Sequence, residues 1–363
     1  LRIVHVCQPT TGGTAVLVRQ LAQSGRKAGQ DIAIACPDDG ELHHWAAEVG
    51  VEWIPLVLAR DPALRDLGTA RQIRKLMLAA DVVHLHSSKA GALGRLATLG
   101  LRSRPRVVFT PHAWSWYVGG QMDRVYQRFE RWAARRADII VLVSEQELID
   151  GRHVLGPRAP LVLIENGVDT DDFSPIGPDA PRSDAPLIVS VGRLSHQKGH
   201  DRAIRALGSL THRDVVLRIV GDGPDEESLR ELVTTLDLQD RVEFIGAADP
   251  RPHLRASDIV LLTSRWEGMS LVLLESMSVG CAIVATRCGG TNILDGVGRT
   301  VENHETDDAL VVDRLRGVLD PLLDNPTKRD ELGAAARTRV LEQFSIERVI
   351  ASYASVWDPS SPN

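Results

Sequence analysis

The 363-residue sequence lacks any apolar run approaching the ~18 residues that span a bilayer, so no transmembrane helix is expected. No signal peptide is expected either, because Leu1 opens directly into the strand-like LRIVHVCQP. Cysteine is scarce: Cys7, Cys36, Cys281 and Cys288 are scattered and fit no zinc spacing. They read as reduced thiols packed in a core, which suits a cytoplasmic protein. Neither a G-x-G-x-x-G nor a Walker A sequence is present, and GDGPDEE at 221–227 lacks the third glycine. That removes the dinucleotide and ATP-type phosphate loops. A strong positive charge is missing as well, since the formal net charge is −6. The charge is uneven, however: through Asn166 there are 21 Lys and Arg against 16 Asp and Glu, and beyond it 21 against 32. A mildly basic first half suits a diphosphate or an anionic membrane surface and is too diffuse for nucleic acid.

What is present is an alternation of short apolar runs with longer helical stretches. RIVHVC, DIAIAC, VEWIPL, DVVHLH, RVVFTPH and DIIVLVS occupy the first half, and PLIVSVG, VVLRIVG, RVEFIG, DIVLLTS, CAIVAT and GRTVE the second. Most are continuous Val, Ile and Leu runs, the pattern of strands buried on both faces. AVLVRQLAQSGRKAG, HDRAIRALGSL and DEESLRELVTTLDL lie between them as helices. The class is α/β, with parallel sheets covered by helices. Each half opens with strand, glycine-bearing loop and helix, so the doubly wound arrangement is used twice. The expected division is a domain over 1–166, a linker over 167–186 marked by Pro175, Pro178, Pro181 and Pro186, and a domain over 187–344. A C-terminal helix and tail over 345–363 is expected to pack back toward the first domain. Two such domains would face one another across a cleft at the carboxyl ends of their strands, where ligands bind.

Several residues stand where chemistry is done. Gly12 and Gly13 follow the first strand and open a helix, so their N–H groups can approach an oxyanion; a simple turn would use them equally well. Arg193 and Lys198 sit between a strand and a helix start, suited to a diphosphate or to a solvated loop. His112, in FTPHAWSWY, ends a valine-rich strand and is either a sugar contact or a structural histidine. His84 and His86 share one side of a strand, and two histidines without a third ligand do not make a zinc site. In RWEGMSLVLLESMSVGCAIVAT, Glu267 precedes a helix expected to begin near Ser270, beside the N–H groups of Gly268, Met269, Ser270 and Leu271. Glu275 falls inside that helix, free to accept from a vicinal diol or else paired with a hidden Arg or Lys.

Taken together, TGGTA, TPHAWSW, ENGVDTDDFSP, SVGRLSHQKGHD, IVGDGP, FIG and the two-glutamate segment resemble the family-four retaining glycosyltransferases of the GT-B fold over nearly the whole chain. The resemblance implies a nucleotide-sugar donor, UDP-linked above all, with no cofactor and no metal. It also implies roles. The backbone of Gly13, next to Gly12, would meet the donor diphosphate, which Arg193 and Lys198 would bind. Glu267 and the 268–271 amides would hold the transferred sugar and distal phosphate, Glu275 the ribose diol, and His112 the sugar. The base would lie near IVGDGP and FIG, including Gly246. The acceptor hydroxyl would attack from the leaving-group side while a donor phosphate oxygen takes its proton, so stabilising the departing diphosphate dominates. A covalent role for Glu267 is the lesser variant. The Asp169–Asp171 DTD, which in another transferase fold binds metal, falls here in the linker.

The acceptor is less legible. TPHAWSW looks like segments of bacterial polysaccharide transferases with lipid-linked acceptors, and Trp114, Trp116 and Tyr117 would floor an acceptor sugar or pack on the core. Arg124, Arg128, Arg131 and Arg135, with Val125, Phe129 and Trp132 beside them, make a basic amphipathic helix. It would rest on anionic lipid at the inner membrane face or be an ordinary surface helix with its apolar edge inward. The Ala- and Arg-rich composition, typical of GC-rich genomes, brings a small natural-product aglycone in as a second acceptor class. A UDP-sugar epimerase on the same fold and a catalytically silent sugar-nucleotide-binding protein are the alternatives. A phosphorylase would need a pyridoxal-phosphate lysine and a longer chain.

Overall fold

The structure, a computed structural model, describes residues 1–58, 66–118, 120–175, 185–304, 307–358 and 360. It divides into two compact units, one comprising Leu1–Asn166 with Glu347–Asn363 and the other Gly167–Ile346. The middle of the expected linker, with Pro178 and Pro181, lies outside the described residues, as do positions 359 and 361–363 of the expected tail.

Among the described residues the first unit holds a seven-stranded parallel sheet. Its strands are β1 (Arg2–Cys7), β2 (Asp31–Cys36), β3 (Glu52–Pro55), β4 (Val82–His86), β5 (Arg106–Thr110), β6 (Ile139–Leu142) and β7 (Leu161–Leu163). They lie in the order β3-β2-β1-β4-β5-β6-β7. β7 is too short to announce itself in the sequence. The second unit holds a six-stranded parallel sheet of β8 (Leu187–Val191), β9 (Val216–Val220), β10 (Val242–Gly246), β11 (Ile259–Leu262), β12 (Ala282–Thr286) and β13 (Arg299–Val301). The order there is β10-β9-β8-β11-β12-β13. The central strands are buried almost end to end, as β1, β4 and β12 illustrate, because helices cover both sheet faces. Val83, Leu85, Val107 and Phe109 anchor one core, and Ile204, Leu217, Ile219 and Leu261 the other.

Strand order fixes where chemistry can sit. In each sheet the order reverses once, between β1 and β4 and between β8 and β11. Loops leaving the carboxyl ends of such strand pairs diverge and leave room for a ligand.

Two features of the first unit escape sequence patterning. Arg95, in the helix Ser88–Ala97, is fully buried. Its guanidinium donates to both carboxylate oxygens of Glu130 at 2.7 and 2.9 Å and lies 4.0 Å over the Phe109 ring. Glu130 and Ala133 are the buried face of the helix Asp123–Ala133, so the expected apolar edge does not point inward. Val125, Tyr126 and Trp132 are instead 50%, 40% and 40% exposed. The C-terminal helix Ile346–Trp357 belongs to this unit for nearly its whole length: Tyr353 and Trp357 are buried, and Arg106 Nε donates to the Val356 carbonyl at 2.8 Å.

Candidate active site

In the second unit, the loops leaving β8 and β11 carry the charged residues. After β8 the chain turns at Gly192, runs through Arg193 and reaches Lys198 just before the helix His200–Ser209. The loop after β9 braces it: Leu194 N donates to the Asp222 carbonyl at 2.7 Å. The close approach demands glycine at 221, where φ is +138° and a Cβ would lie 2.1 Å from the Gly192 carbonyl oxygen. Gly246, at the end of β10, accepts from Gly221 N at 2.8 Å and so supports the same loops.

After β11 the chain forms the Trp266–Glu267–Gly268 turn and enters the helix Leu271–Val279, with Ser270 as its N-cap. The Ser270 side chain makes no capping bond, and the first turn carries no acid. Such a start favours an anion. Lys198 Nζ meets Glu267 Oε1 at 2.5 Å, and Ser264 Oγ donates to the same oxygen at 2.9 Å. Gln197 Nε2 donates to the Trp266 carbonyl at 3.0 Å. Arg265 ties the loop to both sides through Asp201 at 2.8 and 2.9 Å and Asp308 at 2.6 Å. Gly289 lies under the turn, where a Cβ would come 2.1 Å from the Glu267 carbonyl oxygen. Gln197, Ser264 and Gly289 were not anticipated; the CGG following β12 was the available signal for the last.

Arg193 is exposed, and among the described residues no partner engages its guanidinium. Glu275 is partly buried in the helix, and no hydrogen bond or ion pair engages its carboxylate among the described residues. The hidden Arg or Lys partner is therefore not there. Burial pushes the Glu275 carboxyl up to about 7, opposed by the field of Lys198 and reinforced by Asp249. An acid without a partner in the field of a lysine makes Glu275 a candidate functional residue.

In the first unit Gly12 opens the helix Gly12–Lys27 with φ +72°, and both Gly12 and Gly13 are exposed. His112 follows β5 with φ +56°, and Ala113 continues at φ +118°. Two consecutive non-glycine residues in left-handed backbone are costly, about 1–3 kcal/mol each, and persist only where surroundings impose them. The His112 ring lies beside His86, Nε2 to Nδ1, at 3.1 Å. His86 Nε2 in turn meets His5 Nδ1 at 3.1 Å.

The expectation of only two clustered histidines is corrected here. In β1, His5 pairs in register with His84 of β4, and His5, His84 and His86 place ring nitrogens within 4.8 Å of one another. The set is nevertheless built by hydrogen bonds. Trp357 Nε1, which can only donate, reaches His84 Nδ1 at 3.3 Å, so the hydrogen of His84 sits on Nε2, 2.8 Å from Thr110 Oγ1. Neither nitrogen of His84 then offers a metal a lone pair.

The aromatic floor is also corrected. Trp114 is 1% and Trp116 9% exposed, and they stack at 4.5 Å inside the core. Trp114 Nε1 donates to the Glu147 carbonyl at 2.8 Å, and Tyr117 Oη donates to Asp150 at 2.7 Å. Large flat rings beside a parallel sheet are more valuable as core than as exposed platform.

Residues 11–172 match the family model described as Glycosyltransferase Family 4, and residues 177–339 the one described as Glycosyl transferases group 1. A GDP-mannose-dependent alpha-(1-6)-phosphatidylinositol monomannoside mannosyltransferase of Mycolicibacterium smegmatis is 30% identical over 298 residues, 76% of each chain. The protein belongs to the family-four glycosyltransferases. The N-acetyl-alpha-D-glucosaminyl L-malate synthase of Bacillus anthracis is 26% identical to this glycosyltransferase over 381 residues, 98% of this chain and 96% of that one. Among solved structures, Anabaena HepE in complex with UDP-glucose superposes with a TM-score of 0.83 at 21% identity, covering 98% of the glycosyltransferase and 99% of HepE. The fold is GT-B, two Rossmann-like units of parallel sheet and alternating helices. A nucleotide-sugar donor goes with the family. No helix among the described residues of the glycosyltransferase is long and apolar enough to cross a membrane.

Proposed function

We propose that the protein is a retaining, metal-independent hexosyltransferase that moves a sugar from a UDP-sugar to a hydroxyl of a lipid-linked glycan or a small natural product. The observation that carries this reading is the trio Lys198, Glu267 and Glu275. The first two are paired at 2.5 Å, and the third is left without a partner in the field of Lys198. In this reading Lys198 and Arg193 take the diphosphate. Glu267 and the amides of Gly268, Met269, Ser270 and Leu271 take the sugar and distal phosphate, and Glu275 takes the ribose diol. Gly12 and Gly13 serve the diphosphate, His112 the sugar, and the Gly246 loop the base. The UDP-glucose held by HepE supports a uridine donor. The phosphatidylinositol-linked and malate products of the two relatives support the two acceptor classes. Transfer retains configuration because the acceptor attacks on the leaving-group side, with a donor phosphate oxygen taking its proton. Catalysis is then chiefly stabilisation of negative charge on the departing diphosphate.

The decisive experiment is a panel of UDP-sugars, with GDP-mannose as the competing donor, read by thermal shift and then by nucleotide release with and without acceptors. Release of UDP coupled to a product of unchanged anomeric configuration is expected. Conversion of the UDP-sugar without release would mark an epimerase, and binding without turnover a silent receptor.

Glu275 gives this reading a pH signature. Only the ionised carboxylate accepts two diol hydrogen bonds, so donor affinity should rise about tenfold from pH 6 to pH 8 as a group near 7 loses its proton. Glu275→Gln should abolish the slope and weaken binding by about 1.5–3 kcal/mol. The free protein should respond the opposite way. A carboxyl raised in the folded state binds its proton more tightly than in the unfolded chain, so stability is lost as pH climbs from about 4.5 to 7. Glu275→Gln removes that loss, about 1–3 kcal/mol, and should raise the Tm at pH 8 by roughly 2–8 °C. Calorimetry at pH 5 and 8 beside isothermal titration reads both; a pH-independent donor affinity in the wild type would refute the assignment.

The helix Asp123–Ala133 is proposed to rest on anionic lipid at the cytoplasmic face. Arg124, Arg128 and Arg135 are exposed next to the uncovered Val125, Tyr126 and Trp132, while Arg131 Nε is committed to the Val154 carbonyl at 2.8 Å. Wild type should float with vesicles containing phosphatidylserine, and the triple Arg124/Arg128/Arg135→Glu variant should not. Equal flotation of both, or none, removes the idea.

A further inference from the structure

The geometry points to His86 and His5 as positioning residues that hold His112 in its Nδ1–H tautomer, so that His112 meets the donor sugar as a hydrogen-bond donor and not as a proton acceptor. The inference rests on the proposed sugar contact of His112 for its functional half only. Its structural half follows from a line of three rings, His5 Nδ1 to His86 Nε2 and His86 Nδ1 to His112 Nε2, each link 3.1 Å.

A neutral imidazole carries one hydrogen, and each link needs one donor and one acceptor. The direction of the line is therefore set at its far end. His5 Nε2 is buried and has no partner. A hydrogen there would be a buried N–H with no acceptor, the rarer and costlier kind of orphan. With the hydrogen on Nδ1, His5 donates to His86 Nε2. His86 must then carry its own hydrogen on Nδ1 and donates to His112 Nε2. His112 is left with its hydrogen on Nδ1, the nitrogen that no other described residue engages. The lone pair that a general base would use is the one already accepting from His86.

The surroundings support a fixed arrangement. Burial holds His5 and His112 down at about 3, and His84 and His86 well below the usual histidine range, so no second proton enters the line at neutral pH. The His84 ring lies tilted against His86 with centroids 3.9 Å apart, and its own tautomer is locked by Trp357 and Thr110. The left-handed backbone at His112 and Ala113 delivers the ring to His86 at a conformational cost that only a specific placement repays.

The test uses the full chain with 15N-labelled histidine. Long-range proton–nitrogen correlation should show His112 protonated on Nδ1 and bare on Nε2. His86→Leu should move His112 toward the Nε2–H form. It should also lower kcat for nucleotide release by up to about 100-fold, the scale of a misplaced reacting group, with little change in KM. His86→Asn, whose amide can donate from nearly the same place, should restore both the Nδ1–H tautomer and most of the rate. His5→Asn, a second variant should His86→Leu fail to fold, offers His86 Nε2 either a donor or an acceptor and should leave His112 as a mixture of tautomers. A wild-type His112 protonated on Nε2 would overturn the inference, as would a tautomer unchanged in both His86→Leu and His5→Asn. One equivalent of zinc per chain in the purified protein would do the same, because metal would occupy the nitrogens the line requires. If no nucleotide sugar is turned over by the wild type, the donor reading fails, and the nitrogen spectra still decide the tautomer by themselves.

Discussion

Lys198→Ala is expected to lower kcat by about 10²- to 10³-fold while the donor KM changes far less. The reason is where charge appears. The ground-state diphosphate is already ionised, and breaking its bond to the sugar adds negative charge at the leaving oxygen. A cation placed there gains strength as the transition state forms. Nζ lies 2.5 Å from Glu267 Oε1, and on the proposed reading a donor diphosphate would compete with that carboxylate for it. The lysine stem passes close to Gly192, where a Cβ would meet its Cδ at 3.2 Å. Lys198→Arg is therefore expected to rescue poorly, since the wider fork has no slack to reach the same point. Steady-state nucleotide release on the two variants, with donor binding measured separately, checks the result. A loss of kcat below tenfold in Lys198→Ala would sink the leaving-group role.

Arg95→Ala should destabilise the protein by about 3–5 kcal/mol, the cost of stranding one member of a buried ion pair. Arg95 donates through Nε to Gly91 at 2.9 Å as well as through the fork to Glu130, and neither side chain reaches solvent. Removing Arg95 alone leaves the Glu130 carboxylate in apolar surroundings. Removing both charges together does not, so Arg95→Met with Glu130→Leu should recover most of the loss. Urea unfolding followed by tryptophan fluorescence distinguishes the cases. If the single variant loses less than about 1 kcal/mol, the pair is not the joint that the contacts indicate.

The parts of the fold most visible in the sequence were those with a one-dimensional signature. Continuous apolar runs such as DIVLLTS and CAIVAT can only be strands between two layers, and the helix start after Glu267 followed from where the apolar run resumes. Arg193, Lys198 and Glu267 stand out in the sequence because each sits in a loop that leaves a strand. What joins them does not. Lys198 and Glu267 are 69 positions apart, and Arg95 and Glu130 are 35 apart, and only the strand order brings either pair together. His5 went unnoticed because one histidine in a buried strand says nothing until β1 is known to lie beside β4. Trp114 and Trp116 leave floor and core equally open in the sequence for a related reason. Whether a ring after a strand faces solvent or the core depends on the helix that closes over it, here Glu145–Leu155, whose Glu147 carbonyl takes the Trp114 hydrogen.

The first unit is closed by a stretch of chain made after the whole of the second. Tyr353 and Trp357 fill the space beside His5 and His84, with Trp357 edge-on to His5 at 5.5 Å. On the ribosome, residues 1–166 emerge about 180 residues ahead of that helix. At bacterial and eukaryotic elongation rates the sheet must wait roughly 10–40 s with its histidine cluster uncovered. The Trp357 hydrogen that fixes the tautomer of His84 is supplied only after the second unit has been made, so the packing of the histidine cluster is completed across a gap of about 180 residues.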